Sequence, residues 1–173
     1  NWTYLLGAYY EDDSTEIVEL VDSRDFLGAF FGDDYKVDTE SWAIFTNNEY
    51  AFTESISLLL GARYTEEDVS INGAGYAAAS TAPIGSFSTV APEDRFAVIA
   101  VDESRTDTDF NWKVGLNYTP NDDVLVYTSV STGFRSGGYD MTFGGLELAS
   151  PLLTFDPEDV TAVDLGAKSS LLD

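Results

Sequence analysis

Five charged side chains stand at alternating positions inside runs that are otherwise apolar or small: Arg63, Lys113, Arg135, Asp164 and Lys168. Successive side chains of an extended chain point to opposite faces. By parity, each of these charges therefore falls on the polar face of its run. Charges so placed can pair with one another or with other parts of a protein, or contact a ligand, with Arg135 and Arg63 the first candidates for the second role. The chain has no His and no Cys. That removes the commonest general base and every thiol nucleophile, disulfide and thiolate metal site. Carboxylates are abundant enough for hydrolysis by a carboxylate pair, but nothing in the sequence positions such a pair, and no enzyme is expected. Asp33-Asp34, Asp38, Glu66-Glu67-Asp68, Asp102 and Asp156-Glu158-Asp159 offer oxygens to hard cations. None follows the spaced acidic-loop pattern, so neither a metal nor a cofactor is assigned.

The elements that must position these charges are strands. Phe110 to Tyr118 alternates strictly, with Phe110, Trp112, Val114, Leu116 and Tyr118 on one face and Asn111, Lys113, Gly115 and Asn117 on the other. Trp2, Tyr4, Leu6, Ala8 and Tyr10 share a face in the same way, as do Ile56, Leu58, Leu60, Ala62 and Tyr64. Further extended runs are expected at 42–52, 124–135 and 160–169. Each has about ten residues, which at ~3.3 Å per residue and a tilt of ~40° spans the roughly 25 Å apolar band of an outer-membrane barrel. In the run 42–52 the stretch Thr46-Asn47-Asn48-Glu49 breaks up both faces, so its apolar side is not assigned from sequence. The connections at 53–55 and 119–123 are short, whereas those at 11–40, 66–109 and 136–159 are long.

Alternation alone fits two architectures. In a soluble sandwich the apolar face is core; in a membrane barrel it meets lipid and the polar face lines the lumen. No run approaches the ~20 apolar residues of a membrane-spanning helix. Of the 31 acidic residues, 25 lie in the three long connections, beside only Arg24, Lys36, Arg95 and Arg105. That acidic surface would repel polyanions, and no nucleic-acid partner is expected.

The order of short motifs chooses between the two. Gly61-Ala62-Arg63-Tyr64-Thr65 is followed by Tyr118-x-Pro120, by Tyr127-x-Ser129-x-Ser131-x-Gly133-Phe134-Arg135-x-Gly137, by Pro157-Glu158 and by Asp164-x-Gly166-x-Lys168. This series resembles the C-terminal part of the barrel of TonB-dependent outer-membrane receptors, over residue 2 to the end. The one departure is Asp164, where that family usually has Glu. The resemblance implies an all-β fold: an antiparallel transmembrane β-barrel fragment of about six long strands with short periplasmic turns and long extracellular loops. Residues 1–173 would be a partial barrel domain, the plug and remaining strands lying outside this sequence. The first, third and fifth strands would run outward.

The resemblance further implies a segment of an outer-membrane active transporter in a Gram-negative bacterium. Such a transporter takes up a scarce ligand (ferric siderophore, haem, cobalamin or oligosaccharide) with energy transduced by TonB. The expected partners are outer-membrane lipid, the TonB complex through the missing N-terminal part, and a small molecule such as a ferric chelate. The five strand charges become lumen-facing candidates for a ligand path. Gly61, Arg63, Tyr64, Gly133, Phe134, Arg135, Gly137, Pro157, Glu158, Gly166 and Lys168 are the positions that match the family motifs. Gly133, Gly137 and Gly166 are expected to let strands bend or approach closely. Tyr10, Trp42, Tyr50, Tyr64, Trp112 and Tyr118 are expected to form interfacial belts. The alternatives are a passive porin or structural barrel, and a soluble β-sandwich with carbohydrate-binding or hydrolase activity. Because six strands leave open edges that lipid does not tolerate, residues 1–173 alone are expected to aggregate or stay unfolded.

Overall fold

The computed structural model describes residues 1–22, 30–78, 95–140 and 153–170, nearly all of them extended. Among the described residues eight strands follow one another: β1 (Trp2–Asp22), β2 (Phe30–Ala51), β3 (Ile56–Ala78), β4 (Arg95–Asn121), β5 (Val124–Arg135), β6 (Gly138–Asp140), β7 (Leu153–Phe155) and β8 (Glu158–Ser169). Six of them make one antiparallel sheet in the order β1-β2-β3-β4-β5-β8, while β6 and β7 pair separately. The sheet is open, with β1 and β8 as its edges.

Residues directly opposite one another across a strand pair share a face, so the register carries one face across the whole sheet. Tyr4, Asn48, Leu60, Val114, Val130 and Val163 form one such row. Trp2, Tyr50, Leu58, Leu116, Thr128 and Leu165 form another. This face is apolar and uncovered: Leu6 is 80% and Leu165 81% exposed. Among the described residues no second layer packs on it, which sets the molecule apart from a sandwich. All six expected belt aromatics lie on this side. Tyr10, Trp42, Tyr64 and Phe110 mark one end of the apolar band, and Trp2, Tyr50, Phe52 and Tyr118 the other. Eight residues separate Trp42 from Tyr50, about 26 Å along the strand.

The register also assigns the run 42–52. Trp42, Ile44, Thr46, Asn48 and Tyr50 share the apolar face, so two polar side chains stand in the middle of it. They bond locally: the Asn48 amide donates to Thr46 Oγ1 at 3.0 Å, and the Thr46 hydroxyl donates to the Leu5 carbonyl at 3.0 Å. Satisfying polar groups within the protein is what an apolar surround demands.

The strands run well past the ten residues expected. Pairing of β1 with β2 continues without interruption from Trp2↔Tyr50 to Asp22↔Phe30, so much of the long connections is continued hairpin rather than loop. Beyond the aromatic girdle the apolar alternation is lost, and with it the sequence signal for a strand, while backbone pairing persists. This extension has a small core of its own, Tyr35, Ile71 and Val101, with Val37 and Tyr139 packed against it. The β4–β5 turn is tighter than expected. β4 continues to Asn121, whose Oδ1 accepts the Asp123 amide at 3.1 Å, and an irregularity between Tyr118 and Asn121 absorbs Pro120.

Candidate functional site

The polar face carries all five strand charges. Arg63 stands opposite Phe45 on β2 and Asn111 on β4, and Lys113 opposite Gly61 and Ser131. The guanidinium of Arg63 packs against two rings, 5.4 Å from the Tyr9 centroid and 5.7 Å from that of Phe45. Its Nε donates to Thr65 Oγ1 at 2.9 Å, which fixes the plane of the fork. The Phe45 ring in turn lies over Gly7, its direct cross-strand partner, where a Cβ would come within 2.7 Å of a ring carbon.

Beside Arg63 runs an open groove of about 380 Å³, lined by Phe45, Asn47, Gly61, Asn111, Lys113 and Ser131 among others. A second groove, of about 440 Å³, shares Asn47, Gly61 and Lys113 and continues along the strands to Thr3 and Leu5. Glycine at 61 keeps the floor low: a Cβ there would meet Asn47 Oδ1 at 3.0 Å and Lys113 Cβ at 3.4 Å. Lys113 has no hydrogen-bond acceptor or acid partner among the described residues. Asn111 Oδ1 is buried there without a partner.

The motifs Tyr127-x-Ser129 and Asp164-x-Gly166-x-Lys168 meet as two sides of one strand pairing. Ser129 Oγ donates to Asp164 Oδ2 at 3.2 Å. The Tyr127 ring lies over Gly166, its register partner. Lys168 Nζ caps that ring at 5.8 Å from the centroid. Asp, in place of the longer Glu, still reaches the Ser129 hydroxyl.

Arg135 and Gly137 belong to a different assembly. Arg135 lies 5.7 Å from the Phe155 ring centroid and 3.9 Å from Glu158, with both charged side chains about three-quarters exposed (73% and 74%), so this pair contributes little. The stronger contact is one the sequence did not announce. Arg105 donates through Nε and Nη2 to the two oxygens of Asp107 at 2.9 and 2.8 Å, and through Nη1 to the Phe155 carbonyl at 3.0 Å. The Gly137 amide donates to the same Asp107 at 2.9 Å, and Ser136 Oγ donates to Glu67. A Cβ at 137 would lie 2.5 Å from Arg105 Cζ. The motif glycine thus admits a guanidinium, and the node ties β6 and β7 to β4. The hydrogen bond to Asp107 raises the Arg105 pKa above its usual value.

The acidic runs considered for cations are used singly. Glu66 accepts from Trp42 Nε1 at 3.3 Å and Tyr64 Oη at 3.4 Å, Asp68 accepts from Thr106, and Asp38 takes Lys36 Nζ at 2.6 Å. Among the described residues no three acids converge on a common point. Lys36 holds the Asp38 carboxyl below its usual value. Burial, with Glu19 nearby, pushes Asp33 up, and burial beside Asp33 pushes Tyr35 up to about 12. Tyr9, Phe45, Asn111, Arg105 and Asp107 escaped the sequence reading. The only sign of the last pair was two opposite charges two residues apart, which strand parity puts on one face.

The family description "TonB dependent receptor-like, beta-barrel" matches the chain over residues 1–173. No curated protein sequence matches it significantly. The ferric yersiniabactin uptake receptor FyuA from Yersinia pestis superposes with a TM-score of 0.73 at 15% identity, over 99% of this chain and 24% of that one. The ferric-catecholate import receptor Fiu from E. coli K12, in its closed form, gives 0.56 at 16% identity, over 97% of this chain and 30% of that one. The chain therefore spans less than a third of the length of these two structures.

Proposed function

We propose, from the premise that this chain belongs to the TonB-dependent receptor β-barrel family, that it forms part of the barrel wall of an outer-membrane transporter for a scarce small molecule, with a ferric chelate as the favoured cargo. The observation that carries this reading is the sidedness of the sheet. One face is mainly apolar across six strands, with aromatic rows at both ends of β1 to β4, and the other holds Arg63, Lys113, Arg135, Asp164 and Lys168. The first face suits lipid and the second a hydrated lumen.

On this reading, strands beyond this sequence pair with the edges of β1 and β8 and close the barrel. A plug domain fills it, and TonB acts on that plug. The turns at 53–55 and 122–123 face the periplasm, and the extension built on Tyr35 and Ile71 stands outside the cell. This wall does no chemistry on its cargo. Its work is to hold the lumen open, present charges to it and carry the outer surface where the cargo first binds.

The test is uptake by cells expressing the intact receptor under iron starvation. Accumulation of radioactive iron from a panel of ferric chelates should require both the receptor and an energised TonB system. Uptake that persists without TonB would replace this reading with a passive pore.

A further inference from the structure

We infer that β6 and β7 form a fixed inner lining of the barrel mouth, clamped to the wall at Asp107 and Tyr139, which cargo passes without lifting. The lining rests on the barrel-wall reading above and sets how wide the entrance is on this arc.

Strand parity decides which side of the sheet the pair occupies. Tyr35 lies an even number of residues from Phe45 on β2, Glu67 and Ile71 from Arg63 on β3, and Val101, Arg105 and Asp107 from Asn111 on β4, with unbroken register between. All six therefore stand on the polar face with the strand charges. The segment 136–139 and Phe155 hold this set. Ser136 donates to Glu67, the Gly137 amide to Asp107, and Arg105 to the Phe155 carbonyl, while Tyr139 packs on Tyr35, Ile71 and Val101. Asp107 lies three residues beyond Phe110 and Val101 nine. The second layer thus runs along the inside of the extension from ~10 to ~30 Å beyond the aromatic row.

The attachment leaves little slack. Two residues join β5 to β6, and two join β7 to β8, one of them Pro157, whose ring fixes its φ. A Cβ at 137 would lie 2.5 Å from both Arg105 Cζ and the Phe155 carbonyl oxygen, so the layers meet as closely as glycine permits. Lifting the pair breaks three hydrogen bonds to charged groups at once. At roughly tenfold each, these hold the lifted form to ~10⁻³ of the molecules before the burial of Tyr139 counts. A cargo would have to bind the lifted form ~10³-fold more tightly to populate it. A lid that admits cargo must stand partly open before cargo arrives, so the empty receptor decides between lid and lining.

The test uses the intact receptor purified in detergent, in a background without other cysteines, and follows the reaction of one added thiol with a polar maleimide. Val101 is 8% exposed beneath Tyr139, whereas Ser104 is exposed on the opposite face of the same strand. Val101→Cys should react at least ~100-fold more slowly than Ser104→Cys, and adding Asp107→Asn should speed it ~10-fold. Weaker protection in a receptor that keeps the parent's gel mobility overturns the lining, and an unchanged rate with Asp107→Asn overturns the clamp. Should Val101→Cys lose that mobility, Ser136→Cys/Glu67→Cys treated with a short thiol cross-linker leaves the core intact. Near-complete joining in the empty receptor is expected; failure to join, or iron uptake that is lost on joining, overturns the lining. Thiol protection needs no TonB, so a protected Val101→Cys in a receptor that takes up no iron would remove the transport reading and leave the lining standing.

Discussion

Tyr127 and Gly166 are direct partners across β5 and β8, and the tyrosine ring lies flat on the glycine, where a Cβ would come within 2.5 Å of the ring carbon bearing the hydroxyl. The same relation recurs at Phe45 over Gly7, Tyr35 over Gly73 and Phe155 over Gly138, each pair opposite in register. Glycine removes the side chain that would lift the ring. The ring in turn covers backbone that glycine leaves bare, so each pair offsets the cost of a glycine in a strand. In three of the pairs a cation then packs on the ring, Arg63 on Phe45, Lys168 on Tyr127 and Arg135 on Phe155.

Adding a methyl at these glycines should therefore destabilise the wall, by different amounts. At Gly166 the nearest atoms belong to the Tyr127 ring, which can tilt, and Gly166→Ala should cost about 1–3 kcal/mol. At Gly73 a Cβ would meet Tyr35 Cα at 2.6 Å and the backbone carries φ +156°, so Gly73→Ala should cost more. The temperature at which the folded barrel loses its fast gel mobility orders the variants. Tyr127→Ala should reduce the penalty of Gly166→Ala, with a coupling of roughly 1 kcal/mol; strict additivity would show that the ring does not rest on the glycine.

Asp107 should be the most sensitive acid of the extension. It receives both Arg105 contacts and the Gly137 amide, with side-chain exposures of only 20% and 10% for Arg105 and Asp107. Asp107→Asn leaves a largely buried guanidinium without its counter-charge, a loss of roughly 3 kcal/mol. Limited proteolysis of intact cells should then cut near β6 and β7 faster than in the parent, while Glu158→Gln, which loses only an exposed pair, should behave like the parent.

Much of the sheet was legible because strands with one apolar and one polar face alternate with period two. Phe110 to Tyr118 and Trp2 to Tyr10 announced themselves this way, and parity alone sorted Arg63, Lys113, Arg135, Asp164 and Lys168 onto the polar face. The run 42–52 was ambiguous because Thr46 and Asn48 occupy its apolar side, and only the bonds to Leu5 and to each other reconcile them with it. The strand extensions were missed since Asp12, Asp13, Asp33 and Asp34 read as loop, although backbone pairing needs no apolar alternation. The motif Asp164-x-Gly166-x-Lys168 was legible as a pattern. Its meaning, a seat for Tyr127 and Ser129, required the register.

The extension should also respond to alkali. The folded pKa of Tyr35 is raised to about 12 by burial and by Asp33, against about 10 for a free tyrosine. A raised folded value means that the stabilisation is fully present below pH ~10 and is lost as pH climbs from there towards 12. Titration by tyrosinate absorbance should show a late component that Tyr35→Phe removes. Asp33→Asn should bring that component earlier. It should also stabilise the parent at neutral pH, because Asp33 is itself held above its usual value and its ionisation opposes the packing. An unchanged late component in Tyr35→Phe would assign it elsewhere.

The polar pair on the apolar face offers a test of which medium that face meets. Thr46 and Asn48 satisfy each other and the Leu5 carbonyl, so replacing both with shape-matched apolar residues removes the hydrogen bonds together with the groups that need them. In lipid, the Thr46→Val/Asn48→Leu double variant should be as stable as the parent or more so. Val114→Arg, in the same row as Asn48, should cost about 2–4 kcal/mol, the penalty of a midplane cation on a lipid face. Ser131→Arg, on the opposite face beside Lys113, should cost much less. Unfolding of the intact receptor in lipid vesicles measures all three. Equal penalties for Val114→Arg and Ser131→Arg would mean that the two faces meet the same medium, and the barrel reading would fall.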